Sequence, residues 1–219
     1  MPGHDAAPAG PVTLLVIAKE PLPGRVKTRL TPPYSPAQAA ELAEAALEDT
    51  LHALLRAPAR RRVLLLDGAS GPWLPHGFDV VPQVSSGLDE RLAVGIAGCG
   101  GGPALLVGMD TPQVTPELLA PALRSDGWEG CDAWFGPAAD GGFWALGLAE
   151  AALAPALILG VPMSTDRTGE IQRRRFTDAG LRVRDLPPLR DVDTAADAAA
   201  VAAVCPPGSR FAARLRAAR

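Results

Sequence analysis

Hydrophobic and polar positions follow one another along the chain in blocks that predict strands alternating with helices. VTLLVIA, residues 12–18, is a continuous apolar run with the length of a buried strand, and PALLVGMD, residues 103–110, is another. SPAQAAELAEAALEDTLHALL predicts the longest helix, with Ser35 as its N-cap and Pro36 as its first residue. Further strands are predicted in RVLLLD (62–67), FDVVPQ (78–83), CDAWFGPA, GGFWALGL and LRVRDL.

This alternation predicts an α/β fold, with a mostly parallel sheet flanked by helices. We assign residues 12–205 to one domain, because neither a repeat nor a clear linker interrupts them. Residues 1–11 are interpreted as a disordered leader and residues 206–219 as a basic C-terminal tail. The tail sequence SRFAARLRAAR is compatible with a basic amphipathic helix, but we expect a solvated, loosely docked end rather than a membrane or nucleic-acid contact.

Composition narrows the classes of function. A formal net charge of −3 over 219 residues argues against a nucleic-acid partner, so a basic site has to be local. No apolar run approaches the ~20 residues of a membrane span, and the N-terminus does not resemble a signal peptide. The three cysteines form no CxxC motif and cannot all pair. We therefore expect a cytoplasmic protein without a disulfide framework or a zinc site.

Both lysines of the chain lie in one short stretch, AKEPLPGRVKTRL (residues 18–30), where Arg25 and Arg29 accompany Lys19 and Lys27. The stretch follows the first predicted strand and matches neither a Walker A motif nor G-x-G-x-x-G. A loop shaped by Pro and Gly can still hold phosphates with cationic side chains and backbone amides. A solvated basic turn explains the same composition, and composition alone does not separate the two interpretations.

Carboxylates follow three other predicted strands. Asp110 ends the strand at 103–110, Asp140 precedes Gly141 and Gly142 between two strands, and Asp191 and Asp193 follow the last strand. Ligands of such folds bind at the carboxyl ends of the strands, so cations and carboxylates would meet there as in a Mg²⁺–polyphosphate site. Taken singly, each carboxylate has a simpler explanation. Asp110 could be an N-cap for the TPELL helix, Asp140 could belong to a tight turn, and Asp191 and Asp193 could belong to an ordinary helix start.

Four motifs, AKEPLPGRVKTRL, GMDTPQV, GPAADGGFWALGL and DVDTAADA, resemble those of the nucleotide-diphospho-sugar transferase (GT-A) superfamily. Within that superfamily the chain more closely resembles the bacterial radical-SAM/selenodomain-associated transferases (DUF2064-type), which are often labelled glycosyltransferases. The resemblance runs from about Val12 to Val204 and implies a single-domain GT-A, Rossmann-like fold. Asp89 stands where the family pattern has Gly, and Met163 stands where it usually has Trp.

The resemblance also implies roles for individual residues. It places Arg25, Lys27 and Arg29 on phosphates, with Lys27, Arg25 and Asp110 as the catalytic set. It makes Asp110 and Asp193, with Asp191 as the alternative to Asp193, ligands of Mg²⁺ (or Mn²⁺). In related nucleotidyltransferases a Gln and a Gly-containing turn read the base, and these correspond to Gln83 and Gly87. The remaining residues assigned to substrate binding are Lys19, Arg91, Asp140, Gly141 and Gly142.

Three functions fit these motifs. The first is nucleotidyl transfer from a nucleoside triphosphate to a phosphorylated small molecule, with release of pyrophosphate. The second is glycosyl transfer from a nucleotide-sugar, but the only Asp-x-Asp of the chain, Asp191-Val192-Asp193, lies near its end rather than in mid-chain. A non-catalytic nucleotide-binding module is the third, and it would have less need of the carboxylates. The sequence favours nucleotidyl transfer, which requires no protein nucleophile.

Overall fold

A computed structural model describes residues 10–218, and most of the predicted leader, residues 1–9, lies outside this range. Its centre is one seven-stranded sheet with the order β3-β2-β1-β4-β6-β5-β7. The strands are β1 (Thr13–Lys19), β2 (Arg61–Asp67), β3 (Asp79–Pro82), β4 (Ala104–Gly108), β5 (Ala133–Pro137), β6 (Phe143–Leu148) and β7 (Val183–Asp185).

All strands run parallel except β6, which is antiparallel to both β4 and β5. The predicted α/β fold with a mostly parallel sheet is confirmed. Since β5 and β6 form a hairpin, the turn between them lies at the edge of the sheet where the parallel strands end. The loops after β1, β4, β5 and β7 therefore meet at one edge, as the sequence predicted.

Within residues 10–218, seven α-helices surround the sheet: α1 (Pro36–Arg56), α2 (Leu88–Ala97), α3 (Pro116–Leu123), α4 (Ala154–Ile158), α5 (Thr168–Asp178), α6 (Ala195–Val204) and α7 (Arg210–Ala217). The longest, α1, begins with the predicted Ser35 cap: the Ser35 hydroxyl accepts from the Gln38 amide, and the Gln38 side chain accepts from the Ser35 amide. Alternate side chains of β1 belong to two hydrophobic clusters, because Leu14 and Val16 lie in one and Leu15 in the other. Helices thus cover both faces of the central strand.

The C-terminal tail is part of the packed structure. Phe211 and Leu215 of α7 are buried in a third hydrophobic cluster with α1 residues. The carboxylate of Asp49 on α1 accepts from the Ser209 hydroxyl and from the backbone amides of Arg210 and Phe211. The predicted amphipathic helix is present, but the expectation of a loosely docked end is wrong, because its apolar face needs the surface of α1 to exclude water.

None of the helices in the described part of the chain has the length and apolar character needed to cross a bilayer. The cytoplasmic location stays a prediction.

Candidate active site

The loop after β1 directs Lys27 into the interior of the site. Lys27 has a left-handed backbone (φ 49°, ψ 39°) and precedes a short 3-10 turn at Thr28–Leu30. Its Nζ lies 2.8 Å from Oδ2 of Asp110 and 3.0 Å from Oδ1 of Asp193, with only 9% of the side chain exposed. A non-glycine residue with this backbone is uncommon and costs on the order of 1 kcal/mol, a cost that the two ion pairs can offset.

The ammonium of Lys27 stays protonated in this position. Burial by itself would lower its pKa, but the attraction and hydrogen bonds of Asp110 and Asp193 outweigh burial, so the pKa is raised above its ordinary value. The other carboxylate oxygen of Asp110, Oδ1, is buried without a hydrogen-bond partner. A buried, unpartnered carboxylate oxygen is costly unless a cation or donor binds it, so it marks a place for a ligand.

Asp110 is not the N-cap of α3. The Thr115 hydroxyl accepts from the Leu118 amide and fills that role. The carbonyl of Asp110 instead accepts from the amide of Val192, at 3.0 Å, and joins the end of β4 to the loop after β7. This backbone contact places Asp191 and Asp193 beside Asp110.

A group of three carboxylates lies next to this contact. Asp140, Asp191 and Asp193 each present an oxygen that lies within 4.8 Å of those of the other two. Burial, followed by repulsion from Asp140 and Asp193, raises the pKa of Asp191 to about 6. Converging carboxylate oxygens are the ligands that Mg²⁺ and Mn²⁺ prefer, so this group fits the predicted metal.

All these side chains line one cleft of about 720 Å³. The cations of the β1 loop face it: Lys19, Arg25 and Arg29 are exposed, and Arg29 lies 3.6 Å from Asp193. A cleft of this size, lined by cations and carboxylates, accommodates a nucleotide. The structure therefore brings the predicted cationic loop and the predicted carboxylates to a single site.

The residues predicted to read a base are occupied by the protein itself. The side-chain nitrogen of Gln83 donates to the carbonyls of Ala18 and Leu65, and its oxygen accepts from Arg91. Arg91 also contacts Asp67 at 3.2 Å. Gly87 is the N-cap of α2. Since both amide hydrogens of Gln83 are used, only its oxygen is available to a nucleobase, and base reading by Gln83 and Gly87 stays a prediction.

The structure changes the role of one predicted residue and adds one loop that sequence reasoning missed. Asp140, predicted to bind substrate, lies within the carboxylate group, because the β5–β6 hairpin brings its turn next to Asp191 and Asp193. The loop from Met163 to Thr168 also lines the cleft. Its signal in the sequence was the departure from the family pattern at Met163, which indicated a variable contact without placing it.

The sequence was also compared with those of known protein families. Residues 40–165, more than half of the chain, match a protein family described as "Uncharacterized protein conserved in bacteria (DUF2064)". The chain belongs to this family. The matched stretch of this DUF2064 member includes Asp110 and Asp140, whereas Lys27 and Asp193 lie outside it. No protein with a curated description matches the chain closely enough to count as a relative.

Solved structures share the fold of this DUF2064 chain. A protein of Desulfovibrio desulfuricans G20, assigned as a nucleotide-diphospho-sugar transferase, is 26% identical over 95% of both chains, with a TM-score of 0.84. A nucleotidyl transferase from Methanothermobacter thermautotroptrophicus is 16% identical over 94% of this chain and 98% of its own, with a TM-score of 0.56. Rv0371C from Mycobacterium tuberculosis H37Rv, solved with manganese, is 21% identical over 87% of this chain and 97% of its own, with a TM-score of 0.50.

The likeness to the Desulfovibrio protein covers nearly the whole of both chains. The protein is accordingly a transferase with the GT-A, Rossmann-like fold that its motifs predicted. The likenesses at lower identity support the fold alone.

Proposed function

We propose that this protein is a metal-dependent nucleotidyltransferase, which moves a nucleotidyl group from a nucleoside triphosphate to a small-molecule acceptor and releases pyrophosphate. The observation that carries the proposal is the position of Lys27, a buried ammonium held between Asp110 and Asp193 where the parallel strands end. An ammonium with two carboxylates is a charge arrangement that a metal–phosphate complex can enter, because the incoming cation and anion each find a partner of opposite charge.

The β1 loop would bind the phosphates. Arg25 and Arg29 are exposed to the cleft on either side of Lys27, so three cations can surround the β- and γ-phosphates. Three positive charges suit a departing pyrophosphate better than the smaller charge of the diphosphate in a nucleotide-sugar. Positioning together with electrostatic stabilisation is the main source of catalysis in phosphoryl transfer, so the reaction requires the cations but no protein nucleophile.

The carboxylates would bind the metal. Asp140, Asp191 and Asp193 would hold Mg²⁺ or Mn²⁺, and Asp110 would become available to the metal once Lys27 turns towards a phosphate. A divalent cation bound there would neutralise phosphate charge and orient the α-phosphate.

Glycosyl transfer from a nucleotide-sugar is the second candidate, and one observation favours it. The Desulfovibrio protein, which is similar over nearly its whole length, carries the assignment of a nucleotide-diphospho-sugar transferase. The same cleft could hold a nucleotide diphosphate through Lys27 and a metal. A non-catalytic nucleotide-binding module is disfavoured, because a binder has little use for three converging carboxylates beside the cations.

The two enzymatic candidates differ in the product that is released. Incubation with a nucleoside triphosphate, Mg²⁺ and a mixture of phosphorylated and unphosphorylated acceptors should release pyrophosphate. Lys27→Ala should lower this rate on the order of 10²-fold, as does removal of one transition-state donor in other enzymes. Lys27→Arg should restore little, since a planar guanidinium does not replace a compact ammonium between two carboxylates. Release of nucleoside diphosphate from a nucleotide-sugar, with no pyrophosphate from any triphosphate, would establish the glycosyltransferase instead.

A further inference from the structure

The charged residues that line the cleft come from two sets of loops, a cationic half and an acidic half, which meet where Lys27 and Arg29 pair with Asp193. The five cations of the lining lie on the β1 loop and on α2: Lys19, Arg25, Lys27, Arg29 and Arg91. They belong to the end of β1 and to the segments that follow β1 and β3 in the chain, and from there Lys27 reaches Asp110 at the end of β4. A triphosphate or diphosphate would be drawn to this half, where every basic side chain of the described lining is found.

The opposite half is formed by the β5–β6 turn, the loop before α5 and the loop after β7. Its charged residues are all carboxylates: Asp140 and Asp166 in addition to Asp191 and Asp193. No Lys or Arg is found among the described residues that line this half. The neighbouring Arg167 is not part of the lining and pairs with Glu170.

The loop that carries Asp166 is held in place by several contacts. The Thr168 hydroxyl donates to the carbonyl of Pro162, and the Thr165 amide donates to the Thr168 hydroxyl. The amide of Gly169 donates to the carbonyl of Gly141 at 2.8 Å. At Gly141 a Cβ would come within 2.0 Å of the Asp166 carbonyl oxygen. This close approach fixes the Asp166 backbone against the turn that follows Asp140, so the acidic half is formed before any substrate binds.

We propose that the acidic half binds the acceptor, and that the acceptor is a hydroxyl-bearing molecule without phosphate or carboxylate, preferably one that carries a protonated amine. A bound metal would use the three clustered carboxylates and leave Asp166 as a partner for an amine. An anionic acceptor would be repelled by Asp166, while Lys27 and Arg29, the cations that reach this half through Asp193, would be engaged by the donor phosphates.

This inference rests on the proposed function for its chemistry. The acceptor oxygen forms a bond to the α-phosphorus, the bond from that phosphorus to the pyrophosphate oxygen breaks, and the hydroxyl proton passes to solvent. It also revises the sequence-based expectation of a phosphorylated acceptor. Every basic side chain of the described lining belongs to the half where the donor phosphates would bind, so none is left for a phosphate of the acceptor.

Apolar side chains in the acidic half favour an acceptor with a carbon framework. Phe143 and Met163 line the cleft here, and both are partly buried against one hydrophobic cluster of the core. Their exposed faces offer an apolar surface beside the carboxylates. A molecule with both a carbon framework and an amine, such as an amino alcohol or an amino sugar, matches this combination.

The test uses pairs of acceptors that differ only in a phosphate: ethanolamine and phosphoethanolamine, glucosamine and glucosamine 6-phosphate, glycerol and glycerol 3-phosphate. Each is offered with Mg²⁺ and a nucleoside triphosphate, and separately with a nucleotide-sugar. We expect the unphosphorylated member to support turnover, with the amines preferred over glycerol. Asp166→Lys should raise KM for the amines about tenfold, the scale of one charge reversal in a partly exposed site. Asp178→Lys, at the exposed end of α5, is the matched control and should leave KM unchanged.

The outcomes separate the two ideas. Turnover that requires the phosphorylated member, or no preference within any pair, would overturn the acceptor inference whichever donor is used. The same holds if Asp166→Lys leaves KM for every amine unchanged. Turnover of the unphosphorylated members with a nucleotide-sugar but with no triphosphate would overturn nucleotidyl transfer, and would leave the acceptor inference standing.

Discussion

Lys27 donates a hydrogen bond from its Nζ to Oδ1 of Asp193 at 3.0 Å, although the two residues are 166 positions apart in the chain. The same ammonium contacts Asp110, so one cation joins the loop after β1 to the ends of two other strands. These carboxylates are the predicted metal ligands. Lys27 therefore occupies, in this structure, part of the place in which a divalent cation would be stabilised, and several consequences can be measured.

Lys27 should compete with metal. In Lys27→Met the carboxylate oxygens of Asp110 and Asp193 lose the ammonium that they now contact. The affinity for Mn²⁺ in the absence of nucleotide should then rise by about tenfold or more, because the ammonium no longer competes with the metal for these oxygens. Calorimetric titration with Mn²⁺ measures this directly. Lys19→Met removes the same charge from an exposed position of the cleft and controls for the general change in field. Equal affinity in wild type and Lys27→Met would show that metal binds without displacing this lysine.

Asp191 should make the stability of the metal-free protein depend on pH. Its pKa is raised to about 6 in the folded protein, whereas the unfolded chain has the ordinary value near 3.8. The folded state therefore binds more protons between these values, and the unfavourable contribution of Asp191 is complete above pH 6 and lost below about pH 4. With a chelator present, Asp191→Asn should raise the melting temperature at pH 7.5 and leave it nearly unchanged at pH 4.

If Asp191→Asn raised the melting temperature equally at both pH values, the ionisation of Asp191 would not be the cause of the effect. Asp178→Asn, at the exposed end of α5, serves as the control for loss of one negative charge.

Gly141 should tolerate no side chain. Its φ is +89°, and a Cβ would lie 2.0 Å from the Asp166 carbonyl oxygen. Gly141→Ala should lower the free energy of unfolding by more than about 3 kcal/mol or shift the Asp166 loop, because the hydrogen bond between the Gly169 amide and the Gly141 carbonyl ties the two backbone segments together. Gly100→Ala has a similar φ of +78° and open space around it, so it should cost only about 1 kcal/mol. Urea denaturation of both variants measures the difference, and equal costs would mean that the loop moves freely.

The docking of α7 should be essential to stability. Phe211 is fully buried between α7 and α1, so Phe211→Ala should lower the free energy of unfolding by about 3–5 kcal/mol. Arg216→Ala, on the exposed side of the same helix, should change it by less than about 0.5 kcal/mol. Urea denaturation of the two variants measures these changes in the free energy of unfolding. A small effect of Phe211→Ala would support the loosely docked tail that the sequence alone suggested.

The sequence by itself determined much of this protein. Continuous apolar runs such as residues 12–18 specified central strands, and the Ser35 cap specified where the longest helix begins, because these signals depend on neighbours within one or two turns. It also determined that Lys27, Asp110 and Asp193 would share one edge of the sheet, since parallel strands end on the same side.

Only the tertiary structure decided which of these groups contact one another. The pairing of Lys27 with Asp110, the position of Asp140 beside Asp191, and the use of both Gln83 amide hydrogens by Ala18 and Leu65 depend on side-chain directions and distances between separate strands. The arrangement of the cationic and the acidic half around the cleft has the same origin. Strand order and the reversed β6 decide which loops become neighbours around the cleft, and no local pattern encodes an order that arises from packing of the whole sheet.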